Sequence, residues 1–287
     1  MGADHSSGRG YSGIKRACRT VMIVDGRQMA EGIYEELAEA RRGREIAPRL
    51  GLFVVSHDPV IESFVRIKSK AAARLGVEVV RVDLPDGADS QAAIAAVHEL
   101  SGRVDGVIVQ LPLPAQIDTD AVLASVPSQK DVDALNPTIP EYAKIVQAPV
   151  ALAIEEILKH ADVHIEGKRA IVVGAGRLVG TPVAAMLRRR GAHVEIVTLG
   201  EGSLDALKDA DIIVSGAGSP HLITPDMIED RVVLIDAGTS ESGGKVVGDA
   251  DPACAQKASV FTPVPGGVGP LAVAMIFKNL FELMRSK

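Results

Sequence analysis

The sequence predicts two α/β domains with parallel-rich sheets and a cleft between them. Three observations predict it. Short apolar runs rich in Val and Ile alternate with amphipathic stretches, the alternation breaks once near the middle, and it then restarts behind a glycine-rich turn. With 287 residues and 47% apolar side chains, the chain has material for two cores.

Residues 1–20, MGADHSSGRGYSGIKRACRT, combine Gly, Ser and basic side chains without the apolar segment of a secretory signal, and read as a flexible tail. Buried strands are expected at Arg49–Ser56, Val77–Val82 and Val104–Gln110, being predominantly apolar and rich in Val. Amphipathic helices are expected at Met29–Ala40, Ile61–Leu75 and Ser90–Leu100. The stretch from Asn136 to Pro149 carries three prolines and interrupts the rhythm before a helix from Val150 to His160. Strands return at Lys168–Val173, Val194–Thr198, Ala210–Val214 and Arg231–Asp236, and a last helix spans Leu271–Met284. The expected division is 21–147 plus 271–287 for the first domain and 148–270 for the second, the last helix crossing back.

Composition narrows the function. A net charge of −6 gives no broad basic footprint for nucleic acid, and the longest apolar runs are far shorter than a membrane span. Cys18 and Cys254 form no CxxC pair, so neither a disulfide scaffold nor a zinc site is indicated, and a reducing, cytoplasmic setting fits. Without Trp, and with five Phe and three Tyr, base stacking is poorly supplied.

Chemistry concentrates in a few places. Gly174, Gly176 and Gly180 sit on a strand-to-helix turn inside a βαβ pattern, spaced GxGxxxG. Such a turn brings backbone close to a pyrophosphate at a helix N-terminus, so the second unit reads as a Rossmann-like dinucleotide-binding domain, with Arg177, Leu178 and Val179 completing the turn. A second loop, Pro263 to Pro270, holds three prolines and three glycines, among them Pro265, Gly266 and Gly267. Gln110-Leu-Pro-Leu-Pro114 ends a buried strand, where ligands of open α/β sheets collect. Lys68 lies one helical turn after Phe64, on the same face. Asp131 and Asp133 flank Val132 and, in an extended segment, would point the same way. Taken singly, a solvated lysine, an apolar anchor and a turn-capping aspartate explain these positions better.

Taken together they resemble one family. ESFVRIKSKAAARLGV, GVIVQLPLP, KDVD, GKRAIVVGAGRLVGTP, KVVGD and TPVPGGVGPLAVAM occur in the order found in the bifunctional methylenetetrahydrofolate dehydrogenase/cyclohydrolases, over nearly the whole chain from Met22. The resemblance implies oxidation of 5,10-methylenetetrahydrofolate to the methenyl cation with a nicotinamide cofactor, then hydration to 10-formyltetrahydrofolate, in a homodimer. It implies Lys68 and Gln110 as catalytic residues. Phe64, Asp133, Pro265, Gly266 and Gly267 are implied at the folate, and Gly174, Gly176, Arg177, Leu178, Val179 and Gly180 at the dinucleotide.

The sequence also departs from the family. Phe64 replaces the usual Tyr and loses its hydroxyl, and the family's PCTP segment is reduced to Val146-Gln-Ala-Pro149. Both changes bear on the folate side and so on the hydrolytic step, which makes a dehydrogenase-only enzyme one alternative; a non-catalytic folate or nucleotide sensor is another. Ala175 and Gly176 replace the usual Arg-Ser, and Leu199 replaces a polar residue. The family default of NADP therefore loses its usual 2′-phosphate clamp. Arg177 or Arg188–Arg190 are the cations that could substitute, while Glu201 offers an acceptor for the ribose hydroxyl of NAD.

Overall fold

The computed structural model describes residues 21–42, 47–55, 58–200, 204–242 and 244–285. The expected tail, Cys18 and Glu201 lie outside the described residues.

The first sheet is parallel, ordered β3-β2-β4, from β2 (Arg49–Val54), β3 (Glu78–Asp83) and β4 (Gly106–Val109). Its strand-to-strand connections are helices α2 (Pro59–Arg74) and α3 (Ser90–Arg103), as parallel pairing requires. Aspartates open these helices: Asp58 accepts from the Val60 amide and Asp89 from the Ala92 amide. A preceding helix, α1 (Gly26–Arg41), is capped by Asp25, and a short one, α4 (Thr119–Ala124), by Asp118.

The second sheet has six strands, all parallel, in the order β1-β11-β8-β7-β5-β6. Its strands are β1 (Met22–Ile23), β5 (Arg169–Val173), β6 (His193–Val197), β7 (Ile212–Ser215), β8 (Val233–Asp236) and β11 (Val260–Phe261). Before it comes α5 (Pro149–His160), and α6 (Gly180–Arg189) connects β5 to β6. An antiparallel hairpin, β9 (Ser240–Ser242) and β10 (Lys245–Val247), stands apart from both sheets.

One boundary differs from the sequence reading. Residues from Val21 onward are expected in the first domain, yet Met22 and Ile23 pair with Val260 and Phe261 at the edge of the second sheet. The reason is backbone pairing: the Met22 amide donates to Ser259 O at 2.9 Å and the Val24 amide to Phe261 O at 2.9 Å, satisfying an otherwise open strand edge. At the other end, α7 (Val268–Arg285) leaves the second sheet and packs on α1, α2 and α5. Its Leu271, Phe277 and Leu280 belong to one buried cluster with Leu50 and Ile108 of the first sheet and Val172 and Ile235 of the second. The two sheets therefore share a core through this helix.

Candidate active site

Lys68 projects from α2 toward the C-terminal end of β4, where Gln110 is buried. Its Nζ donates to Gln110 Oε1 at 2.8 Å, and Gln110 Nε2 donates in turn to Leu111 O at 2.9 Å. That second bond fixes which end of the amide faces the lysine. Phe64 shares the face as expected, its ring centroid 5.9 Å from the ammonium, and is itself exposed. Burial holds the Lys68 ammonium below the usual lysine range, although Asp133 pulls the other way.

Asp131 and Asp133 do not point the same way. The segment is a turn rather than a strand, closed by the Val132 amide on Lys130 O at 3.1 Å and the Ala134 amide on Asp131 O at 3.2 Å. Ala134 takes a φ of 55°, in the left-handed region. Asp131 accepts from the Asn136 amide at 2.7 Å, a structural role, and pairs with Val107 in an isolated parallel bridge that lays the turn beside β4. Asp133 faces the Lys68 charge instead, and burial pushes its carboxyl up to about 6 against the pull of that lysine. A half-buried amine of weakened basicity, an amide acceptor and a carboxylate thus meet at one strand end. Such a set can take a proton from water and hold a ligand bearing paired N–H donors.

The glycine turn lies where predicted, but its glycines serve different ends. A Cβ on Gly180 would collide with the Gly174 carbonyl, and one on Gly174, whose φ is 94°, would approach Gly216 O at 2.9 Å. Both are required by the chain's own packing. Gly176 faces open space, and with Arg177, Leu178 and Val179 it lines a cleft of about 300 Å³, closed on the far side by Gly216–Gly218 and Ala237–Thr239. Val179 at the start of α6 supplies no side-chain cap; in the first turn the Thr181 amide donates to Gly176 O at 3.1 Å and Pro182 has no N–H, so it is the turn itself, Gly176–Val179, that faces the cleft. These features fit a dinucleotide pyrophosphate. Arg177 is already engaged, its Nη1 2.6 Å from Asp120 Oδ1, while Ala175 and Leu199 are exposed and offer no charge. Arg189 and Arg190 contact Gln147 and Glu155, away from the turn.

The loop of Pro265, Gly266 and Gly267 turns against the start of α1, where the Gly26 amide donates to Gly266 O at 2.9 Å. A Cβ on Gly26 would strike the Gly267 carbonyl, so the contact needs glycine at 26, while a Cβ on Gly267 would crowd Pro263 O and Thr262 Cβ within its own loop.

Sequence reasoning missed two buried carboxylates. Asp249 accepts from Ser215 Oγ (2.7 Å) and from the amides of Ala217 (2.7 Å), Gly218 (3.3 Å) and Ser219 (2.8 Å), and so shapes one lip of the cleft. Asp236 accepts from the amides of Gly238 (2.9 Å) and Ala250 (2.8 Å), and burial pushes its carboxyl up to about 6. Gly248 and Gly238 leave the room: a Cβ on either would enter the carboxylate of Asp236 or Asp249 respectively. The signal was the glycine beside each aspartate, in DAG and VGD.

A Rossmann-like sheet with an open glycine-turn cleft, joined to a second α/β unit that carries a lysine site, defines a two-domain dinucleotide-dependent oxidoreductase class. The sequence matches the description "Tetrahydrofolate dehydrogenase/cyclohydrolase, catalytic domain" over residues 24–133 and the corresponding NAD(P)-binding domain over residues 148–287. It is 38% identical to the bifunctional protein FolD of Staphylococcus aureus (strain Newman) over 280 residues, 92% of this chain and 97% of that protein. The bifunctional FolD methylenetetrahydrofolate dehydrogenase/cyclohydrolase of Campylobacter jejuni superposes with a TM-score of 0.87 at 31% identity, covering 93% of this chain and all of the other. The FolD of Trypanosoma brucei, solved with NADP cofactor and an inhibitor, gives 0.86 at 33% identity, covering 93% and 98%. The chain belongs to the tetrahydrofolate dehydrogenase/cyclohydrolase family.

Proposed function

We propose that this chain oxidises 5,10-methylenetetrahydrofolate to the 5,10-methenyl form with a nicotinamide dinucleotide and hydrolyses that product to 10-formyltetrahydrofolate. The observation that carries the reading is the Lys68–Gln110 contact of 2.8 Å at the end of β4, with Asp133 facing the same lysine. The dinucleotide, held by Gly176, Arg177, Leu178 and Val179 between the tight turns at Gly174 and Gly180, supplies the oxidant when bound. Asp133 binds the pterin through its two oxygens. Lys68 Nζ, deprotonated more readily than a solvated lysine, takes a proton from the water that attacks the methenyl carbon; the N5–C bond of the adduct then breaks, N5 taking up a proton and the hydroxyl losing one, to leave the formyl group on N10. Gln110 Oε1 still accepts from the neutral amine, which leaves the lone pair free for that proton. Phe64 offers its exposed ring as a stacking face without a phenol, and Pro265, Gly266 and Gly267 close the folate side as a rigid loop. The proposal divides the chain into a folate domain, 21–147 plus 271–287 with Met22–Ile23 lent to the other sheet, and a dinucleotide domain, 148–270.

Either dinucleotide is accepted in this reading, with weaker preference for NADP than the family shows, because neither Ala175 nor Leu199 can pair with a phosphate. By resemblance, the proposal extends to a homodimer working in the cytoplasm. The test is an absorbance assay following methenyl formation and decay with NAD and NADP side by side. Oxidation with both is expected, with methenyl accumulating because the phenol is missing. Lys68→Met should abolish the decay, and Phe64→Tyr should quicken it. Silence with both dinucleotides would favour the sensor. Decay unaffected by Lys68→Met would remove the lysine from its role.

A further inference from the structure

One residue that lines the cleft beside the glycine turn, Arg177, is ion-paired to a residue outside that lining. Arg177 stands in the second unit and Asp120 on the first turn of α4 in the first, 57 residues earlier, and Arg177 Nη1 lies 2.6 Å from Asp120 Oδ1. Asp120 is held in place by its helix. The Asp118 side chain caps that helix through the Ala121 amide at 3.1 Å, and the Asp118 amide donates to Ser90 Oγ at 2.8 Å, tying α4 to the start of α3. Arg177, by contrast, lines the cleft, on a turn whose neighbours Gly176 and Leu178 are exposed.

We propose that Asp120 is a positioning residue for dinucleotide binding: it holds the Arg177 guanidinium at the rim of the cleft, and a phosphate of the incoming dinucleotide takes that guanidinium from it. The contact uses a single nitrogen of a side chain built for paired bonds, and both partners are substantially solvent-exposed (40% and 65%), so the pair is weak and exchangeable. A phosphate offers the guanidinium a two-point contact that this arrangement does not. Asp120 therefore competes with the ligand. It lowers affinity for the dinucleotide and keeps Arg177 extended toward the first unit when the cleft is empty of phosphate. The proposal rests on the dinucleotide reading of the glycine turn.

The test is titration of the full chain with NADH and with NADPH, read by nicotinamide fluorescence, for the parent, Asp120→Asn, Arg177→Gln and the double variant. Asp120→Asn should tighten binding about threefold, the scale of an exposed ion pair, and Arg177→Gln should weaken it. In the Arg177→Gln background, Asp120→Asn should give no gain, since the carboxylate acts only through the arginine. A gain for both dinucleotides assigns the exchange to the pyrophosphate, and a gain confined to NADPH assigns it to the 2′-phosphate. Unchanged affinity in Asp120→Asn, or a gain that persists without Arg177, would overturn the proposal and leave the cofactor reading standing. Failure of the parent to bind either dinucleotide would overturn both.

Discussion

At Asp133 a single side chain carries two opposed demands. Its carboxyl is pushed up to about 6 by burial, from the usual 3.8, even though Lys68 favours the charged form. A folded-state value above the unfolded one means that this group supports the fold fully below pH 4, and that the support is lost as pH rises through 6. Above that pH the carboxylate is kept charged at a cost to stability, a charge that the proposed folate contact would use. Asp133→Asn should therefore melt higher than the parent at pH 8, with the difference shrinking by pH 5, while the KM for methylenetetrahydrofolate rises at least tenfold through loss of a charged, two-point contact. Thermal denaturation at the two pH values and steady-state kinetics check both halves. A variant that melts lower at pH 8 would show that the charge stabilises the turn instead.

The turn between β5 and α6 separates glycines that serve the fold from the one that serves the ligand. Gly174 and Gly180 sit against backbone, whereas a Cβ at Gly176, in the lining of the cleft, meets no protein atom within 4 Å. Gly176→Val should leave the melting temperature within a few degrees of the parent and weaken NADH and NADPH binding more than tenfold by filling the space the dinucleotide needs. Equal affinity in that variant would remove the turn from the cofactor site. The turn itself was legible because a strand, three glycines and a helix are contiguous in sequence. So were the apolar strands β2, β4, β5, β7 and β8, whose runs leave little choice of conformation. What stayed hidden depends on distant residues. The two-residue β1 exists only because an edge of the second sheet awaits it, and the β9–β10 hairpin is too short and polar to show a period. The inward turn of Asp236 and Asp249 is set by amides from loops brought close by the fold, and the Asp120–Arg177 pair by the meeting of the two units. The pairing of Lys68 with Gln110 was reachable only through the family resemblance, since their spacing of 42 residues carries no local signal.

On the scale of the whole molecule, α7 is what makes one enzyme of two sheets, and Asn279 is where it grips the folate side. This residue is buried at 3% exposure on the otherwise apolar buried face of α7, which would be unfavourable without partners. Its Nδ2 donates to Val132 O at 2.8 Å and to Gln147 O at 2.8 Å. Val132 immediately precedes Asp133, and Gln147 precedes the Ala148-Pro149 entry to α5, so one amide pins both the carboxylate turn and the interdomain crossing to the same helix. The packing around it is tight: Val132 and Leu280 approach Gly106 so closely that a Cβ there would lie 2.5 Å from Val132 Cγ1. Asn279→Ala leaves two carbonyls without their donor and should cost about 2–4 kcal/mol of stability. Because the loosened turn bears Asp133 and the glycine turn lies elsewhere, KM for the folate should rise several-fold while the Kd for NADH stays within twofold of the parent. Urea denaturation gives the stability, and nicotinamide fluorescence beside steady-state kinetics separates the two ligands. Parallel weakening of both would mean that α7 only holds the units together, whereas the selective loss expected here makes it the element that sets the Asp133 turn in place, through Val132, 147 residues away.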